Sequence, residues 1–416
     1  MREAVRPYYL RWIYFRLNPR FRPPTFQDCW HYPFEKLTEQ SRLPKRAGAR
    51  PDLVFLPMVD WHMRFQRSQH LVTALAGLGH RCIYVSPHLG REFESVPLFD
   101  DAHRLSRLGD RIYELHVRLP REPVFHHRKL NDREDAIVAD AIGRVLPEGS
   151  RNVMQVASFP LWFGVARRFR KERGFPVVYD CHDLLEGFGN VAPELVRAVE
   201  ELIDFADLAL FSSEGLQARH PGVKRSLLVR NAVNAAMFEG VTTAGRGDPA
   251  VVGYVGALDS WFDVEAVEAA ALTHPECRFV LAGRIEFTPI ERLGRLPNVE
   301  LLGEIPYSSV PKVMARFRAG LIPFRVNPLT LMTNPIKLYE YFSCGMPVVT
   351  TPLPEAQAMG ELVYVGGVPE EFARQVGRAL GEDDSELRRR RKEIAQRESW
   401  TARAGELSLA FEGLGD

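Results

Sequence analysis

Asn334-Pro335-Ile336-Lys337-Leu338-Tyr339-Glu340-Tyr341-Phe342-Ser343-Cys344-Gly345-Met346-Pro347-Val348-Val349-Thr350 reads as a short helix delivered into a buried strand. Asn334 suits the cap, and Pro335 the first helical position, where its missing N–H costs nothing. Gly345 suits the left-handed residue that closes a helix, and the apolar run after it suits a strand covered on both faces. A helix so enclosed belongs to a βαβ unit, expected at a sheet edge. Its first turn directs free backbone N–H groups beyond the strands, which makes an anion site. Lys337 and Glu340 share one face at i, i+3, and Glu340 lies about 7 Å along the axis from Pro335. That pair is either a surface ion pair worth a few tenths of a kcal/mol, or a diphosphate contact followed by a ribose contact.

Working outward, short apolar runs alternate with helical periods. Strands are expected at 53–56, 81–85, 153–156, 177–179 and 208–211, with helices at 66–78, 131–145, 161–172 and 193–204. After the small, polar stretch 241–249 the rhythm restarts, with strands at 251–255, 278–281, 299–302, 320–322 and 348–350 and helices near 262–273, 308–318 and 335–344. This is an α/β pattern with mostly parallel sheets. The expected organisation is a basic, aromatic extension over 1–50, a Rossmann-like domain over 51–240, a linker over 241–249, a second Rossmann-like domain over 250–390, and a C-terminal helix over 391–416 packing back across the domains. Two such halves facing each other place a ligand cleft between the carboxyl ends of their sheets.

The chain has 416 residues, 45% hydrophobic and 26% charged, with 54 Lys and Arg against 53 Asp and Glu. That is a globular composition, and its balance excludes bulk attraction to nucleic acid. Five scattered cysteines with no C-x-x-C exclude a disulfide framework and a zinc site of that kind, and suit a reducing cytoplasm. No apolar run is long enough to span a membrane. Residues 1–50, however, hold 11 Lys and Arg against 4 Asp and Glu. With the aromatics of 8–17, they suggest docking on the protein body or disorder, or else contact with a partner or, through residues 1–22, with the inner face of the plasma membrane.

Trp61, Arg64, Gln66 and Arg67 crowd the expected exit of the first strand, where aromatic faces and planar polar groups would hold a sugar acceptor. The alternative is that Trp61 and Phe65 staple the helix entry. No G-x-G-x-x-G follows a strand, which sets aside a dinucleotide oxidoreductase. No Ser/His/Asp or Cys/His set and no metal cluster is evident, so neither a metal nor another cofactor is expected.

The run from Lys337 to Val349 resembles the donor signature of GT-B glycosyltransferases, specifically the large retaining family four and its teichuronic acid relatives. Asp60-Trp61-His62-Met63-Arg64-Phe65-Gln66-Arg67, Tyr179-Asp180-Cys181-His182-Asp183, Val229-Arg230-Asn231 and Gly253-Tyr254-Val255-Gly256 extend the resemblance over 52–411. It implies a nucleoside diphosphate sugar as co-substrate, a glycan or lipid-linked acceptor, and retention at the anomeric carbon. It also implies a ribose contact at Glu340, a donor loop at Gly256, and His182 and Asp183 near the reacting centre. Two departures stand out. Met332 occupies a position where the family commonly has an acid, and the basic residues usual after Gly256 are absent. Lys337, Arg284 and Arg325, in that order, are the replacements for the diphosphate. With Asn334 and Pro335 at the helix start, these residues complete the expected donor site. The alternatives are a nucleotide-sugar epimerase or hydrolase, which would turn over without acceptor, and a non-catalytic nucleotide-sugar-binding protein.

Overall fold

The computed structural model describes residues 38–40, 42–44, 50–62, 64–87, 89, 103–119, 126–241 and 250–414. Of the expected extension over 1–50, residues 1–37, with the expected membrane contact, lie outside these, as does most of the linker; Thr38–Gln40 and Leu43 are corrected to the first unit, where the strand pairs into its sheet and Leu43 is buried. Two compact units result, one holding the described residues up to Arg230 together with those from Trp400, the other holding Asn231–Ser399.

In the first unit, strands β1 (Thr38–Gln40), β2 (Asp52–Leu56), β3 (Arg81–Val85), β4 (His103–Gly109), β5 (Ile112–Val117), β6 (Val153–Ala157), β7 (Val177–Cys181), β8 (Leu208–Phe211) and β9 (Ser226–Leu228) form one sheet in the order β1-β4-β5-β3-β2-β6-β7-β8-β9. β2, β3 and β5–β9 run parallel, and β4 folds back antiparallel on β5. Helices α1 (Arg67–Gly77), α2 (Asp132–Val145), α3 (Phe163–Arg173) and α4 (Pro193–Phe205) provide crossovers. The central strands are buried along their whole length, as a parallel sheet sandwiched by helices requires.

The second unit orders β10 (Val251–Val255), β11 (Arg278–Ala282), β12 (Val299–Gly303), β13 (Ala319–Ile322), β14 (Val348–Thr350) and β15 (Val363–Val365) as β12-β11-β10-β13-β14-β15, all parallel. Its longer helices are α5 (Val264–Thr273), α6 (Ile336–Ser343), α7 (Pro369–Gly381) and α8 (Ser385–Arg397). The expected edge position of the β13–α6–β14 unit is corrected, because β15 pairs outside β14. The division at Arg230 precedes the expected linker at 241–249. Asn231 is already bonded to Asn334, and Val233 and Phe238 belong to the second core. The last helix, α9 (Trp400–Glu412), returns to the first unit, where Trp400 stacks on His70 at 4.9 Å and Ser408 meets His80 at 2.9 Å. No described helix is long and apolar enough to cross a membrane.

Candidate functional site

The carboxyl edge of the second sheet is a shelf of backbone. Gly256 leaves β10 and donates to the Ala282 carbonyl at 2.8 Å, while Gly283 leaves β11 and donates to the Gly303 carbonyl at 2.7 Å. Both glycines have left-handed backbones, φ 154° and 156°. A Cβ on Gly283 would fall 1.7 Å from the Gly256 carbonyl oxygen, and one on Gly256 would fall 2.1 Å from Lys337 Cε. Only glycine therefore lets the two exits and the lysine meet.

Lys337 comes from α6, whose first residue is Ile336 rather than the expected Pro335, so Pro335 serves as the cap residue. Asn334 does not cap. Its Oδ1 accepts from the Asn231 N–H at 2.9 Å, and its Nδ2 donates to Glu355 at 2.8 Å and to the Tyr339 hydroxyl at 3.0 Å. It pins the approach to the helix. The far end closes as expected: Gly345 takes φ 68°, its N–H donates to Phe342, and Met346 N–H donates to Tyr341.

Lys337 Nζ lies over the rings of Tyr254 and Phe324, 5.5 and 5.8 Å from their centroids. Glu340, one turn on, is 5% exposed. Burial raises its pKa above the ordinary glutamate range, partly offset by the charge of Lys337 and by a hydrogen bond from Tyr307. A carboxylate held there at such cost is not half of a solvated surface pair. Tyr307, just beyond β12, was not singled out from the sequence, since only the fold carries it to Glu340. Arg284 pairs with Glu286 at 2.7 Å, and Arg325 with Glu265 at 3.2 Å while lying over the Phe287 ring. Both are engaged by neighbours.

In the first unit, the residues expected to form an acceptor pocket divide. Phe65, immediately before the cap residue Gln66, packs edge-on against His70 at 4.6 Å, and the Gln66 N–H donates to Gln69 Oε1 at 3.1 Å. These are a hydrophobic staple and one arm of a capping box, so the sequence alternative of a stapled helix entry describes Phe65 and Gln66. Trp61 packs edge-on against Tyr84 at 5.1 Å and Phe65 at 6.1 Å, partly exposed. Arg64 is also partly buried, and its carbonyl accepts from Gln69 at 2.7 Å. Arg67 is buried, its guanidinium forked onto the Asp180 carboxylate at 2.8–3.0 Å. Its fork is thus already occupied by a carboxylate.

Asp180 and Cys181 are the last residues of β7, not part of a loop beyond it. His182 follows, with Nδ1 3.0 Å from the Asp180 carbonyl oxygen and Nε2 3.6 Å from Asp183 Oδ2. Burial raises the Asp183 carboxyl above its usual range, against the pull of His182 and Arg67.

One cluster was not legible in the sequence. Asp60, Glu114 and His116, all buried, bring ligand atoms within 4.8 Å of one another, a donor set chemically able to hold a divalent cation. His62 Nε2 lies 2.9 Å from Glu114, and Asp60 accepts from Ser86 at 2.7 Å and from the His62 N–H at 2.9 Å, so these carboxylates already serve internal hydrogen bonds. Burial alone would lower the His62 pKa, but Glu114 and Asp60 outweigh it and raise it. Spacing over fifty residues hides such a group until the fold carries the loop after β2 to β5, across β3. A depression of about 700 Å³ lies at the amino ends of β2 and β6, lined by Asp52, Asn152 and Arg42, at the opposite edge of the sheet from Trp61 and His182.

Two sheets of mostly parallel strands match the GT-B fold. Solved structures share this fold: sucrose-phosphate synthase of Thermosynechococcus elongatus, with TM-score 0.68 and 16% identity over 87% of this chain and 99% of that one; the trehalose-6-phosphate protein of E. coli bound with UDP-2-fluoro glucose, with TM-score 0.66 and 12% identity over 87% and 99%; and Anabaena HepE in complex with UDP and glucose, with TM-score 0.60 and 17% identity over 87% and 99%. Residues 249–382, within the second unit, match the family model described as glycosyl transferases group 1. The chain is 29% identical, over 54% of its length, to TuaH of Bacillus subtilis, described as a teichuronic acid biosynthesis glycosyltransferase, and spans 64% of that protein.

Proposed function

We propose that this protein transfers a hexosyl group, with retention and without a metal, from a nucleoside diphosphate sugar to a glycan or lipid-linked acceptor in cell-envelope polysaccharide synthesis. The observation that carries the reading is the buried Glu340 carboxylate one turn beyond Lys337, whose stem is seated against Gly256. Lys337 and the first N–H groups of α6 would meet the diphosphate and stabilise the charge that develops as it leaves. Glu340 would accept hydrogen bonds from ribose hydroxyls. UDP is the first nucleotide to test, because HepE was solved with UDP and the E. coli protein with UDP-2-fluoro glucose. His182 and Asp183 are proposed at the reacting centre, with Trp61 and Arg64 toward the acceptor; Arg67 and Gln66 serve the fold around them. A cytoplasmic site at the inner membrane face, reached through residues 1–22, completes the proposal. Salt-sensitive sedimentation with anionic vesicles, lost in a chain starting at Arg50, tests that part.

A thermal-shift screen of nucleoside diphosphate sugars tests the donor assignment, since a ligand at 100 times its Kd adds about 2.7 kcal/mol to native-state stability. No shift with any uridine, guanosine, adenosine or thymidine diphosphate sugar would overturn it. Met332, at the end of the turn Pro328–Leu331, supplies no carboxylate toward a donor sugar, which favours a second reading of binding without transfer. Donor binding with no product under any acceptor would select that reading.

A further inference from the structure

We propose that Asn231 is a positioning residue for donor binding: it occupies both acceptors of Asn334, and so keeps the first N–H groups of α6 for a diphosphate. The inference rests on the donor site placed at α6 above.

A residue that caps a helix gives it two acceptors, its side-chain oxygen and its own carbonyl. Two asparagines of the chain do this. At the head of α2, Asn131 Oδ1 accepts from the Arg133 and Glu134 N–H groups at 3.1 and 3.0 Å, and its carbonyl accepts from Asp135 at 2.9 Å. At the head of the turn Pro328–Leu331, Asn327 Oδ1 accepts from the Thr330 N–H at 3.0 Å, and its carbonyl accepts from Leu331 at 3.0 Å. Asn327-Pro328 and Asn334-Pro335 are the same dipeptide, yet the second does not cap.

Asn231 accounts for the difference. Its N–H donates to Asn334 Oδ1 at 2.9 Å and its Nδ2 donates to the Asn334 carbonyl at 2.6 Å, so one residue takes both acceptors. Glu355 and the Tyr339 hydroxyl hold the other end of the amide, accepting from Asn334 Nδ2 at 2.8 and 3.0 Å. All four residues are buried. The helix consequently starts one residue late. Pro335 takes ψ 118°, outside the helical range, and the Leu338 N–H donates to the Pro335 carbonyl at 3.1 Å, three residues back, where Asp135 and Leu331 reach four residues back to their asparagines. Were Asn334 to cap, Ile336 and Lys337 would be the second and third helical residues, and Oδ1 would close on their N–H groups. Those are the donors proposed to meet the diphosphate. An amide oxygen there would withdraw them and turn a partial negative charge toward the anion. Glu340 is insulated from this choice, because Leu338, Tyr339, Tyr341 and Phe342 anchor the body of α6 in the core at 0% exposure.

Calorimetry of the full chain with UDP, and NMR titration with uridine, compare the parent with Asn231→Ala and Asn231→Ala/Asn334→Ala. Asn231→Ala releases the Asn334 carbonyl. It is expected to weaken UDP about tenfold while uridine changes less than about twofold, with amide exchange at Lys337 slowed. The double variant has no side-chain oxygen to cap with, and is expected to bind UDP about threefold or more tighter than the single one, although it has lost more hydrogen bonds. A role in stability alone would make the double variant the weaker. Asn231→Ser, too short to reach the Asn334 carbonyl, replaces Asn231→Ala if the latter does not fold. The parent's UDP affinity in a folded single variant, or a double variant no tighter than the single, would overturn the proposal. A parent whose UDP affinity is untouched by Lys337→Ala would instead overturn the donor site, while amide exchange at Lys337 in Asn231→Ala still decides whether Asn231 keeps Asn334 from capping.

Discussion

Lys337 and Arg67 each sit in the first turn of a helix beside a strand exit, yet they meet opposite surroundings. Arg67 is forked onto Asp180, and its hydrogen-bonding geometry is spent. Lys337 lies over two aromatic rings and against a glycine, with its charge felt by a carboxylate one turn away. A basic residue forked onto a buried acid is part of the scaffold. Lys337, seated against glycine and ring faces, is the one proposed to meet the diphosphate. Density of polar residues at a strand's end therefore does not distinguish a pocket from a scaffold; the partners do.

The largest effect expected from this contrast is on stability. Arg67→Met leaves the Asp180 charge buried and alone, which should cost about 3–5 kcal/mol in urea unfolding, and Asp180→Asn in the same chain should restore most of it. A loss below about 1 kcal/mol would make the pair incidental. His70 gives the next effect. Burial lowers its pKa from 6.5 to about 3, so the unfolded chain takes up a proton that the folded chain refuses. The stability this contributes is complete above the unfolded value and fades as pH falls toward 3. About 1.5–2 kcal/mol should be lost between pH 6.5 and 5, and His70→Phe should flatten that slope. A slope unchanged in His70→Phe would show that other groups set it.

In the second unit, Gly256→Ala drives a methyl into the far end of Lys337. UDP affinity should fall on the order of tenfold, about 1.4 kcal/mol, and Lys337→Ala in the same chain should add little, because both act on one contact. Additive losses would separate the glycine from the lysine. The smallest effect is expected at Arg284, whose pair with Glu286 is more than a third exposed. Arg284→Ala should change stability by less than about 1 kcal/mol and UDP affinity less than about threefold. A larger drop in affinity would return Arg284 to the donor site.

Most of both sheets was legible because fully buried parallel strands are apolar from end to end, and the expected strands lie within one or two residues of β2, β3, β6–β8 and β10–β14. The hairpin β4–β5 escaped notice because Arg104, Ser106, Glu114 and His116 give it a polar face turned inward. The run from Asn334 to Thr350 carried its helix, its glycine closure and its strand in local chemistry. Asn334 misled, since a residue type suited to capping is equally suited to bridging Asn231, Tyr339 and Glu355, and only tertiary contacts decide. The partner of Arg67 was hidden for the same reason: Asp180 lies 113 residues away.

Glu340 offers the most direct test. Burial raises its pKa, with Lys337 and Tyr307 opposing, and the charged form is the one that accepts from two hydroxyls. Calorimetric titration of the parent with UDP should give an affinity that weakens as pH falls through that raised value. Glu340→Gln, at unchanged Tm, should lose about tenfold to a hundredfold at neutral pH, on the scale of about 1.5–3 kcal/mol for a charge-assisted bond, and should lose the acidic limb as well. An unchanged dissociation constant in the folded variant would contradict the donor site in the second unit, and with it the glycosyl-transfer reading built on Lys337 and Gly256.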